Sequence, residues 1–288
     1  MSSNKTAILT RDLGFPEASE LTIPISDSIA LRVYSSIKPR NWKIASLQKG
    51  LIFVYNGVER IGEGIGFGVP IIITSNETYF SGSSSIYVHQ SQGSTIIHKE
   101  YCMDRKARNR FRNIRLENRQ MRSILRHLSG VYQLNKHSRF LMLTLKNVPM
   151  KIGVGTSFVE TPSLGKVTYS ILRNRILVKT DFSYLNKRNP GRIFVLNEQG
   201  TRFFRRYCDA RGKQLIGEQI GAWDQVEADW ASIVTEQGNA GFRLDRIKKG
   251  ILRVGREFQG NSLDWIGLDY ELDPGSAVFN YQIEILGA

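Results

Sequence analysis

Two glutamates, Glu59 and Glu63, flank the start of a glycine-rich turn, and a third, Glu77, follows further along the chain. Paired carboxylates are the groups that glycoside hydrolases use, one as an acid and the other as a base or nucleophile. His98 is followed two residues later by Glu100, so both belong to the same side of an extended segment. A histidine oriented by a carboxylate is the minimum arrangement for general base catalysis. These residues are our catalytic candidates, although solvated charges on an exposed sheet face would give the same pattern.

Two tryptophans late in the sequence, Trp223 and Trp265, each stand beside an aspartate, Asp224 and Asp264. Sugar rings stack on aromatic platforms of this kind while nearby carboxylates hold their hydroxyl groups. We therefore predict that Trp223 and Trp265 are ligand-stacking residues of a carbohydrate site on a concave sheet. The alternative is that the indole rings fill the core or cover a sheet.

The segment over residues 104–128 concentrates positive charge. Its part from Arg105 to Arg126 contains nine basic residues and one acid, Glu117, which give a net +8 out of the formal +14 of the whole chain. An apolar stripe at alternating spacings of four and three, an Asp104 that could cap the first turn and a Gly130 that could end the last one predict a long helix. The candidate polyanion-binding residues on it are Arg105, Arg108, Arg112, Arg115, Arg119 and Arg122.

Several partners would suit such a basic helix. It could follow the phosphate backbone of a nucleic acid, lie on an anionic membrane surface or pair with a second copy of the chain. Asn118 within the stripe favours helix pairing, because a buried asparagine sets the register of a helical seam. The alternative is a helix that packs its stripe on the sheet of its own protein and faces acidic loops.

Cofactor and metal sites have little support in the sequence. The glycine-rich segment over residues 62–68 lacks the spacing of a dinucleotide-binding loop, and an extended run rather than a helix follows it. It indicates a bulge or a close approach of two backbones. The chain has two cysteines, Cys102 and Cys208, and four scattered histidines, which leaves few ligands for zinc. We predict no cofactor and no metal.

The segment SNETYFSG over residues 75–82 resembles a motif of the aldose mutarotases, in which Asn, His, Thr, Tyr and Phe follow one another. The match runs from Asn76 to Phe80. It implies the galactose mutarotase-like fold, a large antiparallel supersandwich of about this chain length. Glu77 stands where the family has its catalytic histidine, and the chain has no second His-x-Tyr-Phe motif, so the resemblance argues against the mutarotase reaction.

Short extended runs separated by turn residues dominate the rest of the chain. Asn56-Gly57 and the segment 173–175 each join two such runs and predict hairpins. Without amphipathic helices between them, these runs predict antiparallel meanders. We expect a mainly β protein, a two-layer antiparallel sandwich or supersandwich, forming a single domain over residues 1–288 with a helical insertion at 104–129. A second, weaker helix is predicted over residues 224–236.

The composition excludes a disulfide scaffold and a disordered chain, because 41% of the 288 residues are hydrophobic. No apolar run is long enough to span a membrane and the first residues do not form a secretory signal, so we expect a cytoplasmic protein. Two hypotheses remain. The favoured one is a non-enzymatic protein whose basic helix binds a polyanion or another copy of the chain. The other is a carbohydrate-binding or carbohydrate-active protein, and whether the chain is an enzyme stays open.

Overall fold

The computed structural model describes residues 6–9, 19–35, 49–62, 64–73, 78–91, 93–108, 156–159, 164–183, 192–221, 223–259, 263–272 and 278–288. Within these ranges β-strands dominate, which confirms the predicted mainly β class. One short 3₁₀ helix, Gly217–Gln219, is present, and no helix of the described residues is long and apolar enough to cross a membrane. The strands are β1 (Thr6–Leu9), β2 (Ser19–Pro24), β3 (Ile29–Ser35), β4 (Ile52–Tyr55), β5 (Val58–Glu59), β6 (Gly66–Ile73), β7 (Thr78–Ser91), β8 (Ser94–Arg108), β9 (Thr156–Val159), β10 (Leu164–Leu172), β11 (Arg175–Asp181), β12 (Arg192–Gly200), β13 (Arg206–Asp209), β14 (Gln214–Ile216), β15 (Asp224–Gln225), β16 (Trp230–Val234), β17 (Gly241–Asp245), β18 (Gly250–Gln259), β19 (Leu263–Leu272) and β20 (Val278–Leu286).

The chain divides into two compact units. The first comprises Met1–Arg105 and Glu160–Ala288, and the second comprises Lys106–Val159. In the second unit the structure describes the last residues of β8 and the strand β9. All residues discussed below as a candidate site belong to the first unit.

The first unit contains two antiparallel sheets. The long sheet runs in the order β14-β13-β16-β17-β20-β11-β10-β8-β7-β6-β12-β19-β18-β15, and β1 pairs with β7. A small sheet has the order β2-β3-β4-β5. Antiparallel pairing of neighbours agrees with the meanders predicted from the sequence.

Both predicted hairpins are confirmed. Asn56 and Gly57 connect β4 to β5 with φ values of 50° and 75°, the left-handed conformation that a two-residue hairpin turn requires. Arg173 has a φ of 53° in the turn between β10 and β11, and Leu172 pairs directly with Arg175. The turn therefore has two residues, one fewer than the sequence suggested.

The start of the predicted basic helix is a strand. Asp104–Arg108 is the end of β8, where Asp104 pairs with Phe80 and Arg105 with Tyr79 of β7. Asp104 is buried against Gly82 and so does not cap a helix. The alternation of buried Tyr101 and Met103 with their neighbours already has the two-residue period of a strand, and this period governs the segment. Residues 109–128 of the prediction lie outside the described residues.

The second predicted helix, over residues 224–236, is also wrong. This segment forms β15 and β16 instead. β16 lies between β13 and β17 and pairs with both, so its backbone donors and acceptors are used within the sheet. Ala231 and Ile233 are buried there. Two flanking strands override the weak helical spacing of a few apolar residues.

The side chains of strand β19 alternate between the core face of the long sheet and its opposite face. Ile266, Leu268, Tyr270 and Leu272 alternate along the strand and are all buried in the main hydrophobic core. Trp265, Gly267, Asp269 and Glu271 alternate with these buried residues and therefore project from the opposite face. We call this second face of β12, β18 and β19 the polar face.

Candidate active site

Three neighbouring strands place carboxyl groups and Trp265 together on the polar face. β19 lies between β12 and β18, and Gly267 of β19 pairs with Glu198 of β12 and with Gly255 of β18. One step along the strands, Trp265 pairs with Glu257. Residues two positions apart share a face, so Asp269 joins the same surface on the other side of Gly267. Residues distant in sequence thus form one cluster.

Gly267 allows two acidic side chains to converge. A Cβ atom at this position would lie 3.0 Å from Cγ of Glu198 and 3.2 Å from Oδ1 of Asp269. The Glu198 side chain therefore lies across the Gly267 backbone, towards Asp269. Glu198 is 6% exposed and Asp269 is 3% exposed. We call these two residues the carboxyl pair.

Gly255 accommodates an indole ring in the same way. A Cβ atom there would lie 2.5 Å from Cδ2 of Trp223, so the ring of Trp223 packs directly on the Gly255 backbone. Trp223 Nε1 donates a hydrogen bond of 2.6 Å to Oε1 of Glu257. Trp265 donates a hydrogen bond to Glu198. Each of the two tryptophans is thus tied to one carboxyl group of the cluster, and both are partly exposed.

An irregularity between β6 and β12 fixes the backbone beneath the carboxyl pair. The register shifts between Leu196 and Asn197, opposite Gly68, which has a φ of 78°. The Asn197 side chain accepts a hydrogen bond of 3.1 Å from the Gly68 N–H, and the Asn197 backbone N–H donates one of 2.7 Å to Oδ1 of Asp269. Bulges of this kind often lie beside active sites, where they aim a side chain.

The environment of the carboxyl pair favours its protonated form. Burial, together with repulsion from Asp269 and Glu257, raises the pKa of Glu198 well above its ordinary value, and Lys49 and the Trp265 hydrogen bond oppose this in part. Burial also raises the pKa of Asp269, against the effect of the Asn197 hydrogen bond. Two like charges at such a site do not ionise together. We assign the proton to Glu198, because Asp269 accepts the short backbone hydrogen bond.

The arrangement of this cluster is suited to proton transfer. A protonated carboxyl group beside an ionised one supplies an acid and a base at neutral pH. The described residues contain no group of three or more His, Cys, Asp or Glu side chains arranged to hold a metal ion.

Two arginines border the carboxyl cluster on the same face. Arg253 donates from Nε to Oε2 of Glu271 at 2.6 Å, and Arg192 donates from Nη1 to Oε1 of Glu271 at 3.1 Å. Arg253 also reaches the backbone oxygen of Trp223 at 3.5 Å. The Arg192 guanidinium lies 5.5 Å from the centre of the Phe194 ring. We call Arg192, Arg253 and Glu271 the arginine cluster.

The residues that the sequence singled out have different positions. Trp223 and Trp265 lie in the cluster. Glu59 accepts hydrogen bonds from Arg32, at 3.1 Å, and from Tyr34 in the small sheet. His98 is exposed on β8, where its Nδ1 lies 3.0 Å from Oγ1 of Thr168.

Glu100, the expected partner of His98, forms an ion pair of 2.9 Å with Lys166 instead. Glu63 and Glu77 lie outside the described residues. Among the predicted residues that the structure describes, the two stacking residues therefore lie together in the cluster, whereas Glu59 and His98 lie elsewhere.

The predicted polyanion-binding residues are described only in part. Arg105 is half-buried in β8, and Arg108 is the last residue of that strand. Arg112, Arg115, Arg119 and Arg122 lie outside the described residues. Binding of a polyanion or of a second copy of the chain by this segment remains a prediction.

Sequence reasoning missed Glu198, Glu257 and Asp269. A signal for Asp269 is present in the strand sequence LDWIGLDYEL, where Trp265, Gly267 and Asp269 alternate with apolar residues. A glycine in an otherwise alternating strand indicates that another group approaches the backbone closely. Glu198 carries no comparable signal, because it follows a run of buried residues in β12.

The comparisons with known proteins identify no relative by sequence. No family model matches the chain, and no curated protein matches it. Two solved structures are similar over nearly the whole chain at 7% identity. The protein HI1317 is matched with a TM-score of 0.39, covering 98% of this chain and 99% of that one. Slr1438 from Synechocystis sp. PCC 6803 is matched with a TM-score of 0.41, covering 97% and 100%.

Proposed function

We propose that the protein binds carbohydrate on the polar face and uses the carboxyl cluster for acid-base chemistry on the bound sugar. The observation that carries this proposal is that two partly exposed tryptophans donate hydrogen bonds to the carboxyl groups of Glu198 and Glu257, beside the buried Asp269. Indole rings offer apolar surface to the faces of a sugar, and carboxyl groups offer acceptors for its hydroxyls. Trp265 and the carboxyl groups belong to β12, β18 and β19, and Trp223 packs on β18 at Gly255.

The reaction that suits this arrangement is hydrolysis of a glycosidic bond. Glu198 gives its proton to the bridging oxygen as the bond from that oxygen to the anomeric carbon breaks. A water molecule adds its oxygen to the anomeric carbon and loses a proton to Glu257, which is exposed at the rim. Asp269 acts through Glu198, because its negative charge keeps the proton on Glu198 until the sugar accepts it.

A layered antiparallel scaffold would suit this function. The sandwich or supersandwich predicted from the sequence would support the polar face from behind by a second layer of strands. The buried residues on the core face of β19 are consistent with such support. We include this architecture in the proposal, together with a location in the cytoplasm.

Binding can be tested by thermal denaturation against a panel of neutral monosaccharides and tetrasaccharides. We expect at least one sugar to raise the melting temperature, and Trp223→Phe to remove that shift because phenylalanine cannot donate a hydrogen bond to Glu257. Trp230→Phe is the matched control. Trp230 packs under Arg243, with 4.6 Å from the guanidinium to the ring centre, and takes no part in the carboxyl cluster.

Catalysis can be tested separately with the sugar that gives the largest shift. Glu198→Gln keeps the size of the side chain and removes the transferable proton, so we expect the variant to retain the thermal shift and to lose release of reducing ends. General acid catalysis contributes about 10²–10⁴ in rate, which sets the size of the expected loss. A panel without any thermal shift would contradict binding, and full turnover by Glu198→Gln would contradict the assigned acid.

A further inference from the structure

The arginine cluster has more positive charge than its own carboxylate neutralises. Arg192 and Arg253 share the single carboxylate of Glu271, so these three residues together carry a net charge of +1. The Arg253 guanidinium is largely occupied by Glu271 and the backbone oxygen of Trp223. Arg192 differs from it, because its side chain is 59% exposed.

Arg192 is held in place without being covered. One nitrogen is fixed on Glu271 and the guanidinium plane is near the Phe194 ring, so the exposed donors keep a defined direction. An arginine oriented in this way can present two parallel N–H groups to a carboxylate or sulfate. It has the form of a binding group for an anion and contributes little to stability as an exposed ion pair.

The distance from Arg192 to Glu198 excludes a small ligand that touches both. The two residues are six positions apart on β12, which corresponds to about 20 Å along a strand. A single sugar ring cannot bridge this distance, whereas a chain of several rings lying along β19 can.

We propose that the ligand of the polar face is an acidic oligosaccharide, with a carboxylate or sulfate group bound by Arg192 several rings away from the carboxyl pair. This inference rests on the proposed carbohydrate function and gives it a substrate class.

The test uses one sugar chain with and without its charge. Binding of tetragalacturonate and of its fully methyl-esterified form is measured by isothermal titration at low and at physiological salt. We expect the acid to bind at least about tenfold more tightly than the ester, because a hydrogen bond to a charged group contributes about 1.5–3 kcal/mol. Arg192→Gln is expected to reduce this ratio about tenfold, and Arg175→Gln, an exposed arginine on β11, to leave it unchanged.

Each outcome separates the two proposals. Equal binding of acid and ester would overturn the acidic substrate class and leave carbohydrate binding intact, whereas no binding of either form or of the neutral panel would overturn carbohydrate binding itself. A sulfated tetrasaccharide distinguishes sulfate from carboxylate as the bound group. If a single-stranded oligonucleotide of equal charge displaced the acid and its own binding were lost in Arg192→Gln, the partner would be a nucleic acid and the inference would fail.

Discussion

Replacement of Glu198 by glutamine is expected to stabilise the protein, and the gain should grow with pH. In the folded chain burial and neighbouring carboxylates raise the pKa of Glu198 well above 4.5, the ordinary value for a glutamate. Above that value the unfolded chain has released a proton that the folded chain still holds, so stability falls as pH rises towards the folded pKa. Glutamine carries no proton to lose and removes this dependence.

The size of the effect follows from the proton difference. One full proton corresponds to about 1.4 kcal/mol per pH unit, so a change from pH 5 to pH 7 gives at most about 2.7 kcal/mol. For 288 residues the entropy of unfolding near the melting temperature is about 0.6 kcal/mol/K. The melting temperature of Glu198→Gln should therefore rise relative to the natural protein by up to about 2 °C per pH unit between pH 5 and pH 7.

Thermal denaturation at pH 5, 6 and 7 measures this difference directly. Glu236→Gln is the control, since Glu236 is exposed in an ion pair of 3.5 Å with Arg205, a type of pair that contributes little. A difference between Glu198→Gln and the natural protein that is equal at all three pH values would refute the reasoning. A difference that shrinks with pH would mean that Glu198 is stabilised as a carboxylate.

Two further changes test the packing around the site and the core. Lys99 is 1% exposed, and burial lowers its pKa to about 7, so the natural protein gains stability as pH rises from 7 towards 10.5. The melting temperature of Lys99→Met minus that of the natural protein should therefore be largest near pH 7 and should decrease as the pH rises to 10, as measured by thermal denaturation. Gly255→Ala should displace the Trp223 ring, weaken sugar binding and cost about 1–3 kcal/mol in denaturant unfolding, whereas Gly165→Ala, with 3.4 Å to its nearest neighbour, should cost less.

Much of the fold can be predicted from local sequence. Asn56-Gly57 specifies its turn because a two-residue hairpin needs positive φ values that these residues adopt easily. The alternation in β10 and β20 likewise marks one buried face. The predicted helix at residue 104 failed at its start because spacing by three and four along a charged segment says nothing of strands that pair with it. β7 pairs with Asp104 and Arg105, and a pairing between residues so far apart in sequence cannot be predicted from local spacing.

The site was harder to predict for the same reason. Trp223 and Trp265 can each be selected from the sequence alone, because each is a large aromatic residue beside an acidic one. Glu198 and Asp269 acquire their character only when β12 pairs with β19 in one particular register, which brings both side chains over Gly267. A shift of that register by one residue would send Asp269 to the core face.

The energetics of the carboxyl pair argue for a functional origin. Two carboxyl groups buried side by side destabilise a fold, and apolar residues of similar size at the same positions would be tolerated better. The surrounding residues increase this cost, because Gly267 and Gly255 give up side-chain packing so that Glu198 and Trp223 can lie on the sheet. A protein keeps a costly group where its activity needs it. A ligand that accepts a hydrogen bond from protonated Glu198 and covers the two indole rings would offset the cost on binding, and for this reason the strongest stabilisation by a sugar is expected at the pH where Glu198 is still protonated.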